Sequence, residues 1–97
     1  MTEIQEDKIE SIVSFFRNEK QIEIAIEEAA EFIQAAQKVK RYPDEPKRKE
    51  NLIEETADML ICAEQMRRIL GTEEVDAIVD KKLNRTMRFI MAKGEQK

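Results

Sequence analysis

Only four of the 97 residues in this chain are glycine or proline, and three of those four fall at just two places. Pro43 and Pro46 stand together in Tyr42-Pro43-Asp44-Glu45-Pro46, and Gly71 stands alone between two long segments. Proline biases its predecessor away from helical angles, and glycine tolerates the left-handed turn that ends a helix. Such a chain reverses direction at few points and must run in long elements between them. Those elements are not strands, because no stretch alternates apolar and polar residues between turn dipeptides. Ala, Glu, Lys, Ile and Arg dominate instead, so the expected class is all-α.

Four helices account for nearly the whole chain, at about residues 3–17, 19–40, 47–70 and 73–92. Thr2 and Gln5 are spaced as a capping box before the stripe Ile9, Ile12, Val13, Phe16. Asn18 and Gln21 repeat that spacing at the second helix. Arg67 and Arg68 complement the C-terminal dipole of the third, and Gly71 suits the position after its last turn. Thr72 is the expected cap of the fourth, with Glu73 and Glu74 in its first turn and Val75, Ile78, Val79, Leu83 and Ile90 as its stripe. Connections this short predict antiparallel neighbours in a compact bundle.

The chain reads as one domain, 1–97, near the small end of what supports a core alone, so self-association is expected. A net charge of −4 argues against binding nucleic-acid polymers, which takes a basic face. The single cysteine, Cys62, excludes an internal disulfide and reads as a packed thiol in a reducing compartment. Residues 1–10 are acidic and lack the apolar run of a leader, and no segment reaches the roughly 18 apolar residues of a membrane span. The expected location is cytoplasmic.

Two acidic pairs, Glu28-x-x-Glu31 and Glu55-x-x-Asp58, carry the functional signal. The same interval recurs at Glu3/Glu6, Asp7/Glu10 and Glu73/Asp76, where a solvated helix face is the ordinary explanation. Angular position separates the first two pairs from these. At about 100° per residue, Glu28 falls between Ala35 and Val39, with Ile24 and Phe32 just outside, and Glu31 lies at the rim. Glu55 falls between Cys62 and Met66, flanked by Met59, while Asp58 lies at the edge near Ile69. Carboxylates pointed at a core need a compensating cation, and four from two neighbouring helices suit a hard divalent ion. The chain has no histidine and one cysteine, which excludes zinc sites built from His and Cys. All-oxygen coordination suits Mg²⁺, with Mn²⁺ as a substitute, and Mg²⁺ commonly binds together with phosphates. In Lys82-Leu83-Asn84-Arg85-Thr86-Met87-Arg88, the cations Lys82, Arg85 and Arg88 recur every three residues, as a charged surface or as a grip on phosphates.

At these residues the chain resembles the MazG-like all-α nucleoside triphosphate pyrophosphohydrolases. The resemblance rests on Glu27-Glu28-Ala29-Ala30-Glu31, a spacer, Glu55-Thr56-Ala57-Asp58, and the basic segment at Lys82, Arg85 and Arg88. It implies a four-helix MazG-like bundle completed by homo-oligomerisation, as a homodimer or homotetramer. It implies Mg²⁺-dependent cleavage of an NTP or dNTP to monophosphate and pyrophosphate, with house-cleaning of non-canonical nucleotides as one role. Glu28, Glu31, Glu55 and Asp58 would be metal ligands and catalytic groups, and Lys82, Arg85 and Arg88 would hold phosphates. Glu27 projects outward, as a supporting or merely solvated residue.

The chain also departs from that family's pattern. Thr86 stands where MazG-type members often carry another arginine. No histidine follows the second acidic motif, as it commonly does in phosphoribosyl-ATP pyrophosphohydrolases, and all-α dUTPases are usually longer. Phe16, Phe32, Tyr42 and Phe89 read as core or rim rather than as base-stacking groups. The alternative function is a non-catalytic helical oligomerisation or nucleotide-binding module.

Overall fold

A computed structural model describes residues 1–16 and 18–95. Among them it contains four helices and no strand: α1 (Glu3–Phe15), α2 (Asn18–Arg41), α3 (Pro46–Leu70) and α4 (Thr72–Glu95). No helix is long and apolar enough to cross a membrane.

Each boundary has a local cause. At α1 the Thr2 N–H donates to Gln5 Oε1 (2.9 Å) and the Gln5 N–H donates to Thr2 Oγ1 (3.2 Å), the expected capping box. The helix stops at Phe15, short of the expected end at Arg17, which lies outside the described residues. α3 opens one residue earlier than expected because Pro46 takes its first position, where a missing N–H costs nothing. In the turn before it, the Glu45 N–H donates to the Tyr42 carbonyl (3.2 Å), and Arg48 lies 4.9 Å from the Tyr42 ring centroid. Gly71 closes α3 at φ +121°, its N–H donating to the Arg67 carbonyl (3.0 Å).

Two expected caps do not form. Asn18 is itself the first residue of α2, and Gln21 turns into the core, its amide bonded to nothing. Thr72 is likewise the first helical residue of α4 rather than the residue before it. Spacing alone does not say which way the Gln21 side chain faces, nor that the α4 helix begins one residue early, at Thr72.

α3 is the hub: it packs along α2, along α1 and against the start of α4. Ile9, Ala35 and Cys62, one from each of the first three helices, are the buried apolar residues among those described. At the α3–α4 corner Arg67 donates from Nε and Nη2 to both oxygens of Asp76 (2.7 Å each) and from Nη1 to Glu64 (2.7 Å). Arg68 pairs with Glu10 of α1. The two arginines expected at the helix dipole thus act as ties between helices.

Beyond that corner α4 projects outward, and every residue from Asp76 to Gly94 is exposed. The bundle is therefore less compact than the short connections suggest. Its radius of gyration is 16.9 Å, against about 13 Å for a closed domain of this length. Its accessible surface is 8172 Å² for 11.4 kDa, where a compact monomer would show about 5,800 Å². The stripe Val79, Leu83, Met87 and Ile90, each about half exposed or more, contributes apolar surface to it.

Candidate metal centre

The seam between α2 and α3 brings the acidic residues together. Ligand oxygens of Glu28, Glu31 and Glu55 all lie within 4.8 Å of one another. Glu31 meets Glu55, while Glu28 faces Asp58 and Cys62, so the two helices run antiparallel through the site. Asp58 stands beside this trio rather than in it. With Glu28 it lines an adjoining cavity, together with Ile24, Ile61, Cys62 and Gln65.

The angular argument explains the depth of each group. Glu28 and Glu55, placed within the apolar arcs, are half-buried, whereas Glu31 and Asp58, placed at the rims, are exposed. One oxygen of Glu28 and one of Glu55 are closed off from solvent with no hydrogen-bond partner. Among the described residues none of the four carboxylates pairs with a lysine or arginine. By contrast, Glu10 and Asp76 of the other acidic pairs are engaged by Arg68 and Arg67.

Crowded negative charge without a cation has a predictable effect on acidity. Burial raises the Glu28 carboxyl above its ordinary 4.5, and Asp58, Glu31 and Glu27 add to the shift. Glu55 is raised in the same way, by burial first, then by Glu31, Asp58 and Glu28, and by a hydrogen bond with Glu31. Both shifts run toward easier protonation, as crowded carboxylates require. The Cys62 thiol is raised as well, by burial and then by Glu28, so it stays a neutral wall.

No family profile, no curated protein and no solved structure matches this chain. The site is therefore read on its own geometry. That geometry passes a chemical test for a hard divalent ion. The donors are all oxygen, two of the oxygens lack any partner, and charge repulsion gives the cluster a reason to bind a cation.

The basic segment is not brought to these carboxylates within the chain. Lys82, Arg85 and Arg88 lie on the exposed part of α4, and α4 packs on α3 only near the corner. Lys82 borders a shallow groove of about 340 Å³ with Leu70, Glu74, Val75, Ile78 and Val79, in keeping with its expected place along the apolar arc. Glu27 is exposed.

Two glutamines along the same helices face inward without the pattern analysis having marked them so. Gln21 is 1% exposed and Gln65 6% exposed. A signal for them existed: Gln21 precedes Glu28 by seven residues and Gln65 follows Asp58 by seven, a spacing that returns to nearly the same helix face.

Proposed function

We propose that this chain is a Mg²⁺-dependent nucleoside triphosphate pyrophosphohydrolase of the MazG-like kind. It would release a nucleoside monophosphate and pyrophosphate, with house-cleaning of non-canonical nucleotides as its role. The observation that carries the reading is the convergence of Glu28, Glu31 and Glu55 from two helices, with buried oxygens that no protein group satisfies. The chemistry a bound Mg²⁺ would supply is charge neutralisation at phosphate oxygens and a lowered pKa for water.

Glu28, Glu31 and Glu55 would hold the ion in this reading. Asp58, at the cavity side of the cluster, accepts a proton from the attacking water and so orients it toward the α-phosphorus. The oxygen–phosphorus bond to the α-phosphorus breaks, and pyrophosphate leaves with the bridging oxygen. Lys82, Arg85 and Arg88 stabilise that leaving charge when a second copy brings its α4 over the acidic seam. Charge complementarity between an acidic α2–α3 seam and the basic stretch of α4 from Lys81 to Lys93 supports this homo-oligomer. So does a surface surplus of about 2,400 Å² per chain, on the scale of obligate dimers.

Incubation of the protein with NTPs and Mg²⁺, with products resolved by chromatography, tests the reading. The expected products are monophosphate and pyrophosphate, and Glu55→Ala is expected to abolish both. Release of orthophosphate, or turnover untouched by that substitution, overturns it. The exposed run of α4 from Asp76 to Gly94 favours a second reading, a non-catalytic oligomerisation module. That module would show no thermal response to Mg²⁺ or Mn²⁺, and Glu28→Gln would leave it as stable or more so with metal present.

A further inference from the structure

Two turns along the seam from the carboxylates, the polar lining changes from acid to amide. Seven residues separate Gln21 from Glu28 on α2, and seven separate Asp58 from Gln65 on α3. Because the helices are antiparallel, both steps lead the same way in space, by about 10 Å. The register that sets Glu31 against Glu55 also sets Gln21 level with Gln65. Both are more than nine-tenths buried, and neither the nitrogen nor the oxygen of the Gln21 carboxamide has a partner.

Between the two ends lies the cavity of about 120 Å³ lined by Ile24, Glu28, Asp58, Ile61, Cys62 and Gln65. It therefore runs from carboxylates, past aliphatic walls, to a buried amide. We infer that this cavity is a nucleobase subsite, and that Gln65 reads the hydrogen-bonding edge of the base.

The inference rests on the nucleotide reading of the carboxylate cluster and adds the residue that selects among nucleotides. A nucleotide carries the same order of polarity: anionic phosphates, a less polar sugar and ring face, then an edge of donors and acceptors. A carboxamide presents one donor group beside one acceptor, which pairs with a base edge offering the complementary two. Ile24 and Ile61 supply the apolar surface that a flat ring packs against. Gln21 is sealed from solvent, so it does not touch the base.

Equilibrium titration of the wild-type protein with the four α,β-imido dNTPs and Mg²⁺ separates binding from turnover. Wild type is expected to favour one base by roughly tenfold or more, the scale of one good side-chain–base pairing. Gln65→Leu should bring the four affinities to within about threefold of one another while thermal melting shows an intact fold. Gln65→Glu, which replaces the donor with an acceptor, should re-rank the bases, an effect a merely structural glutamine would not produce. Nucleotide binding with no base preference, or a ranking unchanged in both variants, overturns the subsite alone. Failure of every analogue to bind wild type overturns the nucleotide reading and the subsite with it.

Discussion

Leu83→Ala isolates the association attributed to α4. Leu83 is 60% exposed and lies mid-helix, beyond the corner where α4 touches α3. Removing it should leave the isolated chain's packing untouched, and alanine is the strongest helix former. Full burial of a leucine is worth about 1.5–3 kcal/mol, so covering the exposed 60% contributes about 1–2 kcal/mol per copy. A symmetric dimer loses that twice, about 2–4 kcal/mol, which weakens association roughly 30- to 1,000-fold. Sedimentation equilibrium over a concentration series reads the shift directly, and far-UV circular dichroism at low concentration checks that helicity is kept. A wild-type chain that stays monomeric at high micromolar concentration would refute the reasoning. So would a variant that associates as tightly as wild type.

Two further outcomes follow from the α2–α3 seam. Glu28 and Glu55 are raised above 4.5, so the folded chain binds protons there more tightly than the unfolded one. Stability of the chelator-treated protein is then greatest below about 4.5 on their account and falls as pH rises through the raised values. Mg²⁺ should restore it at neutral pH, and Glu55→Gln should flatten the fall. Asp76, lowered by its hydrogen bonds to Arg67, acts with the opposite sign, its contribution being lost as pH drops below its ordinary 3.8. Thermal melts from pH 4 to 8 with and without Mg²⁺ decide this, and metal-free stability that climbs steadily with pH would count against it. Gln21→Leu should stabilise the chain by about 1–3 kcal/mol, because it removes a buried amide with no partner at either end. Urea denaturation measures that gain, and a loss of similar size would mean that the amide is satisfied after all.

The positions of the breakers made the helices legible: Pro43, Pro46 and Gly71 leave little freedom in where they end. Glu28 and Glu55 were legible because a 3.6-residue period places them inside apolar arcs, and burial follows angle. The caps of α2 and α4 were not, since a capping rule counts residues and does not know that Gln21 faces inward. Arg67 and Arg68 show the same limit. Local spacing assigns them to the helix end, whereas Asp76 and Glu10 reach them through tertiary approach. For α4, periodicity marks which face is apolar but carries nothing about what covers it.

Of the five buried side-chain atoms without a partner among the described residues, four lie on Gln21, Glu28 and Glu55, and the fifth is Arg68 Nε. Polar side chains elsewhere are well served: Thr2 and Gln5 cap each other, and Arg67 is bonded to two carboxylates. Orphaned oxygens and amides on Glu28, Glu55 and Gln21 gather instead along the facing sides of α2 and α3. Leucine or methionine at those positions would fill the seam with fewer energetic costs, since buried unpaired polar groups destabilise and buried apolar ones do not. A helical hairpin selected for stability alone would carry such residues there. Local violations of folding logic concentrated in one seam are what the proposed ion site would account for, since a bound cation would complete the polar bonding there.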